Sequence, residues 1–156
     1  MGDFDYWKEY ENWKLDIPEY YNMGYDTVDK HLEDPCKKNK VALYWEHENG
    51  EKRKYTFWEM STLSNKMGNV LRDLGLKKGD RFLIRLPNIP EFQMIFLAGV
   101  KIGAVPIPSS VMFKAKEVEY RIQDSSAVLV ITTPDYVKEV NDIKGNCPTL
   151  KHVMIV

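Results

Sequence analysis

The sequence has only two cysteines, Cys36 and Cys147, and three histidines, His31, His47 and His152. No C-x-x-C pair occurs and the two cysteines lie far apart, so neither a zinc site nor a disulfide scaffold is expected. Charge of one sign is also missing, since 22 lysines and arginines face 23 aspartates and glutamates. Without a broad field, binding to nucleic acid or anionic lipid by bulk charge is not expected. Long hydrophobic runs are absent too. Uncharged stretches such as Phe92 to Val100 and Ile102 to Phe113 are too short to span a bilayer, and Pro106 and Pro108 interrupt the second. Nine glycines are present, yet none forms G-x-G-x-x-G or G-x-x-x-x-G-K-[ST], so neither nucleotide-binding fingerprint occurs. No G-x-S-x-G elbow surrounds Ser109 or Ser110, which gives a hydrolase no support.

What is present suits one ordinary domain: 156 residues, 44% apolar and 12% aromatic, enough for a real core. All four tryptophans fall in the first 58 positions, so two segments with different jobs are implied. The N-terminus alternates acids with aromatics (Asp3, Phe4, Asp5, Tyr6, Trp7), unlike an apolar signal or a basic transit peptide. Tyr6 also breaks the myristoylation pattern begun by Met1 and Gly2. The expected compartment is a reducing cytoplasm.

Residues 1–40 hold no sustained period and contain Pro18, Gly24 and Pro35. They read as an aromatic arm of short helices clad onto something larger. A hairpin over 41–57 follows, with Val41 to Glu46 and Lys52 to Phe57 flanking Asn49-Gly50. Thr56 and Glu59 then form a T-x-x-E capping box for a helix over 57–74, with Met60, Leu63, Met67, Val70 or Leu71, and Leu74 as its core stripe and Gly75 as its stop. From Arg81 the pattern becomes β-α-β-α-β-α-β over 81–156. Its strands are Arg81 to Leu86, Ala104 to Ile107, Ala127 to Thr132 and Lys151 to Val156. Its helices run from Pro90 to Ile102, Lys116 to Ser125 and, capped by Thr133-Pro134, through Lys144 to Gly145. The expected fold class is α/β, a three-layer doubly wound, mainly parallel sheet in an incomplete subdomain at 41–156, preceded by the arm and the hairpin.

In such sheets ligands bind beyond the carboxyl ends of the strands. Pro108 to Lys114 occupies one such end, with Lys116 and Arg121 nearby in sequence. Glu46-His47-Glu48 beside the hairpin turn reads as solvated, His152 as a strand residue, and Asp80 as support for the turn into the first sheet strand. The last strand has no covering helix, so the chain reads as a fragment of a longer protein that self-associates through its open edge or through exposed apolar surface.

Three stretches together carry a family resemblance: Pro18 to His31 (PEYYNMGYDTVDKH), Tyr55 to Ser110, and Glu117 to Ser125 (EVEYRIQDS). Within the second lie Gly79-Asp80-Arg81, Pro87-Asn-Ile-Pro-Glu91 and Gly103-Ala-Val-Pro-Ile-Pro108. Their order and spacing resemble the N-terminal part of an AMP-forming acyl-CoA synthetase of the adenylate-forming superfamily, on the medium-chain side. The resemblance implies an ATP-dependent, AMP-forming carboxylic acid:CoA ligase acting on short- or medium-chain or aromatic acids through an acyl-adenylate, with ATP, Mg and coenzyme A as cofactors of the full-length enzyme. It implies no catalytic and no metal residue within this stretch, and no tight cofactor binding by the stretch alone. It also implies that the loop after the second parallel strand contributes to the coenzyme A channel through Met112, Ser110 and Phe113. Relatives carry a polar residue at the position of Met112, whose thioether can pack against pantetheine but supplies no amide hydrogen bonds. A non-catalytic α/β interaction module and an adenylate-forming enzyme with another acyl acceptor are the alternatives.

Overall fold

The computed structural model describes residues 4–16 and 18–156. In the arm, helix α1 (Tyr6–Asn12) starts where the Asp5 carboxylate accepts hydrogen bonds from Trp7 N and Lys8 N, both at 3.1 Å. Tyr6, Trp7 and Tyr10 associate with one another, yet all three are exposed. Helix α2 (Met23–Thr27) is instead docked on the body. Its cap residue Asn22 also donates to Lys101 O at 3.1 Å, and Val28 just beyond α2 is buried. A 3₁₀ turn (Asp29–Leu32) and α3 (Pro35–Lys38) complete the arm.

Strands β1 (Val41–Glu46) and β2 (Lys52–Thr56) pair antiparallel across a turn that holds Gly50 at a φ of 87°. One face of the hairpin packs inward through the buried Trp45, whose indole donates to Asn88 O at 2.7 Å. Helix α4 (Phe57–Asp73) begins with the expected capping box: Glu59 N donates to Thr56 Oγ1 at 3.2 Å, and Thr56 N donates to the Glu59 carboxylate at 2.8 Å.

Four parallel strands follow: β3 (Arg81–Arg85), β4 (Val105–Pro108), β5 (Leu129–Thr132) and β6 (His152–Ile155). They lie in the order β4-β3-β5-β6. Alternation along β3 divides the core into two layers. Phe82 and Ile84 face Leu71 of α4 and Ile95 and Ala98 of α5 (Pro90–Lys101). Leu83 faces Val118 and Ile122 of α6 (Ala115–Ser125) and Val140 and Ile143 of α7 (Val137–Ile143). The expected three-layer, doubly wound arrangement is thus present, with an entirely parallel main sheet.

Two local expectations differ. Thr133 makes no capping bond; Pro134–Tyr136 winds as a 3₁₀ turn before α7 starts at Val137. The α-helix closes at Ile143, and Gly145, expected to end it, sits inside a 3₁₀ turn (Lys144–Asn146). The observed strands and helices otherwise overlap the expected ones, with ends displaced by a residue or two, where hydrogen bonding frays.

Candidate functional site

Strand order decides where a ligand edge forms. From β3 the chain crosses to β4 on one side, whereas from β5 it crosses to β6 on the other. The carboxyl ends of β3 and β5 therefore flank the topological switch point, where an open parallel sheet offers its crevice. Three polar residues line up there. Leu83 is in register with Ile107 and Val130, and Arg85 is in register with Thr132. By alternation, Ser109, Arg85 and Thr132 continue the apolar row Ile107–Leu83–Val130 on the α6/α7 face. All three are buried, and Ser109 Oγ, Arg85 Nε, Thr132 Oγ1 and the neighbouring Thr133 Oγ1 have no hydrogen-bond partner among the described residues. Such atoms are uncommon in folded proteins and mark this end of the sheet as polar by design.

Arg85 organises the edge. Its side chain is fully buried. Nη1 donates to Tyr136 O at 2.8 Å, and Nη2 donates to Val111 O at 2.9 Å and to Phe113 O at 2.7 Å. The guanidinium also lies 5.3 Å from the centre of the Tyr136 ring, while its nearest carboxylate, Glu139, stands 3.8 Å away. One side chain thereby joins the loop after β4 to the turn after β5. Sequence reasoning passed over Arg85 as one residue of an apolar strand. The available signal was a charge at the carboxyl end of that strand, on the face that must be covered by helices.

The loop itself contains the three residues assigned by resemblance. Ser110 and Met112 are exposed, Met112 at 79%, and Met112 N donates to Ser110 Oγ at 3.1 Å. The half-buried Phe113 carries the Arg121 guanidinium 3.8 Å from its ring centre. The structure brings these residues together at the sheet's carboxyl edge but leaves Lys114 and Lys116 exposed.

Other polar groups serve the scaffold. His47 Nδ1 accepts from Asn49 N at 3.2 Å inside the hairpin turn, and Asp80 accepts from Lys77 N at 2.8 Å before β3. Lys101, nearly buried, donates to Asp29 (2.6 Å), Ser64 Oγ (2.9 Å) and Asn65 Oδ1 (3.0 Å), which binds the arm to α4 and α5. These residues border a polar cavity of about 360 Å³ that also touches Asn22, Tyr25 and Arg72. Burial pushes the Cys147 thiol up, opposing the thiolate a nucleophile needs. Among the described residues no group of three or more histidines, cysteines or carboxylates could hold a metal ion. No helix among them is long and apolar enough to cross a membrane.

The fold and the edge define a doubly wound α/β unit with a polar crevice at the carboxyl ends of β3, β4 and β5. Comparison with known proteins gives that class a family. The model of the AMP-binding enzyme family matches residues 32–156, and the chain belongs to that family. It is 41% identical over 136 residues to the acetyl-coenzyme A synthetase of Bacillus subtilis (strain 168), covering 86% of this chain and 23% of that protein. It is 32% identical over 150 residues to the human mitochondrial acyl-coenzyme A synthetase ACSM3, covering 94% of this chain and 26% of that protein. Among solved structures, the anthranilate CoA ligase AuaEII in complex with anthranoyl-AMP superposes with a TM-score of 0.79 at 29% identity, over 90% of this chain and 26% of that one. An acyl-CoA synthetase from Brucella canis also reaches 0.79, at 25% identity, over 98% of this chain and 27% of that one. The chain thus spans about a quarter of the length of the proteins it matches.

Proposed function

We propose that this chain forms the N-terminal α/β part of an ATP-dependent, AMP-forming carboxylic acid:CoA ligase acting on short- or medium-chain or aromatic acids. The observation that carries this reading is the loop of Ser110, Met112 and Phe113, held at the carboxyl edge beside the switch point and presenting Met112 outward. Support comes from the family match and from relatives named acetyl-CoA synthetase, acyl-CoA synthetase and anthranilate CoA ligase.

The residues present fit the acceptor better than the nucleotide. An exposed thioether beside a hydroxyl suits the mixed apolar and amide surface of a pantetheine arm. By contrast, the chain has no glycine-rich phosphate loop, and the described residues hold no carboxylate cluster for Mg²⁺. On this reading residues 1–40 are an arm and 41–156 the α/β unit, neither contributes a catalytic residue, and the chain alone binds no cofactor tightly. The two cysteines are unpaired, which supports a reducing cytoplasm as the site of action.

Carboxylate-dependent exchange of labelled pyrophosphate into ATP, measured on the product of the complete reading frame across acetate, medium-chain and aromatic acids, tests the assignment. Exchange with at least one acid, followed by thioester formation with coenzyme A, is the expected result. Its absence with every acid would refute the ligase reading. Calorimetric titration of the 156-residue chain with Mg-ATP checks the second claim, which tight binding would overturn.

A further inference from the structure

We infer that Arg85 is a positioning residue for the acceptor loop: its buried guanidinium sets the shape of residues 109–113 and thereby capture of the thiol substrate, leaving carboxylate adenylation untouched. The inference rests on the ligase reading above.

The reasoning starts from β3. Its alternation calls for an apolar residue at position 85, above Leu83 and beneath α7, and arginine stands there with no exposed surface. A buried cation whose closest carboxylate is 3.8 Å away contributes little to stability by Coulomb attraction alone. Its charge is met chiefly by three backbone carbonyls, Val111 O and Phe113 O in the loop after β4 and Tyr136 O at the end of the 3₁₀ turn after β5. Drawing the carbonyls of residues 111 and 113 inward to one nitrogen turns the intervening residue outward, and Met112 is correspondingly exposed. On the outer side, Arg121 stacks on the Phe113 ring and closes the remaining freedom. The third carbonyl belongs to the turn after β5, so one planar fork couples the loops on both sides of the switch point. A lysine carries a single ammonium on a shorter reach and cannot hold both loops in this geometry.

The test separates the two half-reactions in the product of the complete reading frame, using acetate or the best acid found, with the Arg85→Lys and Arg85→Met variants. For R85K the expected result is a rise of about tenfold in KM for coenzyme A, with pyrophosphate exchange changed by less than about twofold. R85M should raise KM for coenzyme A further. A merely structural arginine would reduce both half-reactions together, and that outcome, or no change in either, overturns the inference. If R85M fails to fold, R85K retains the charge and decides the question. Hydrogen exchange on the 156-residue chain gives a readout free of catalysis: the amides of residues 112–114 should exchange faster in R85K while those of β3 and β5 stay protected. Equal protection in the two proteins would count against the clamp. A wild-type enzyme without exchange activity would sink the ligase reading itself, and this inference with it.

Discussion

Replacing Gly99 by alanine should destabilise the protein, although the same change in most helices does the opposite. Gly99 lies in α5, where an alanine would gain about 1 kcal/mol from helix propensity. Its added methyl, however, would stand 2.5 Å from Phe82 Cζ, 2.6 Å from Phe82 Cε1 and 3.6 Å from Pro106 Cβ. Phe82 is wholly buried among Leu71, Leu76, Ile95 and Leu129, so its ring has no free direction in which to yield. Overpacking of this kind costs about 1–3 kcal/mol, so the balance after the propensity gain is a net loss of up to about 2 kcal/mol. The melting temperature should fall by up to about 8 °C at this size. Gly68 in α4 is the matched control, because its added methyl would meet Ile102 Cγ2 at an ordinary 3.4 Å. Gly68→Ala should therefore be neutral or stabilise by up to about 1 kcal/mol. Urea unfolding of both variants, followed by tryptophan fluorescence, gives the two signs directly. Adding Phe82→Leu to Gly99→Ala should recover about 1 kcal/mol of coupling in a double-mutant cycle. A Gly99→Ala protein as stable as wild type would show that α5 and β3 do not approach this closely.

Asp29→Ala leaves the Lys101 ammonium without its carboxylate in a nearly buried site. Because Asp29 keeps 26% exposure, the loss is discounted to about 2 kcal/mol, measured by urea unfolding, and Lys101→Met in the same chain should return part of it. Thr56→Ala removes the hydroxyl cap of α4 and should lower stability by about 1 kcal/mol in the same assay. Hydrogen bonds from the Thr56 backbone and hydroxyl hold the Glu59 carboxyl below its ordinary value of 4.5. A depressed folded-state value stabilises above the unfolded value and fades as pH falls through the lowered one. The advantage of wild type over Glu59→Gln should accordingly be full at neutral pH and shrink below 4.5, and a constant gap in acid would refute it. Finally, the exposed aromatic cluster of α1 and the edge strands of the main sheet predict self-association of the 156-residue chain. Light scattering across concentrations should show a rising mass, which a persistent monomer would contradict.

Much of the architecture could be read before any coordinates because its signals are local. Thr56 and Glu59 are three residues apart and meet across a single turn, so their capping box was legible in the letters. Asn49-Gly50 marked the hairpin turn, and Pro90 and Gly103 bracketed α5, whose end the structure closes with a φ of 77° at Gly103. The start of α7 was misjudged for the opposite reason. Thr133-Pro134 has the form of a cap, yet the carbonyl of Tyr136 is bonded by Arg85, fifty-one residues earlier, and a 3₁₀ turn precedes the helix. No local pattern carries that information.

The same division separates scaffold from site. Sequence alone determined the class of fold, the alternation of strands and helices and the loop from Pro108 to Lys114, since period, caps and turn residues act over spans of a few positions, while Ser110, Met112 and Phe113 were singled out within that loop by the family resemblance. Only the tertiary structure decided the order β4-β3-β5-β6, the row of Ser109, Arg85 and Thr132, and the join of two loops through one buried guanidinium. Lys101 reaching Asp29 across seventy-two residues belongs with these. The physical reason is common to them: a buried charge is tolerated only where distant backbone and side-chain groups converge to meet it, and convergence is a property of the folded chain.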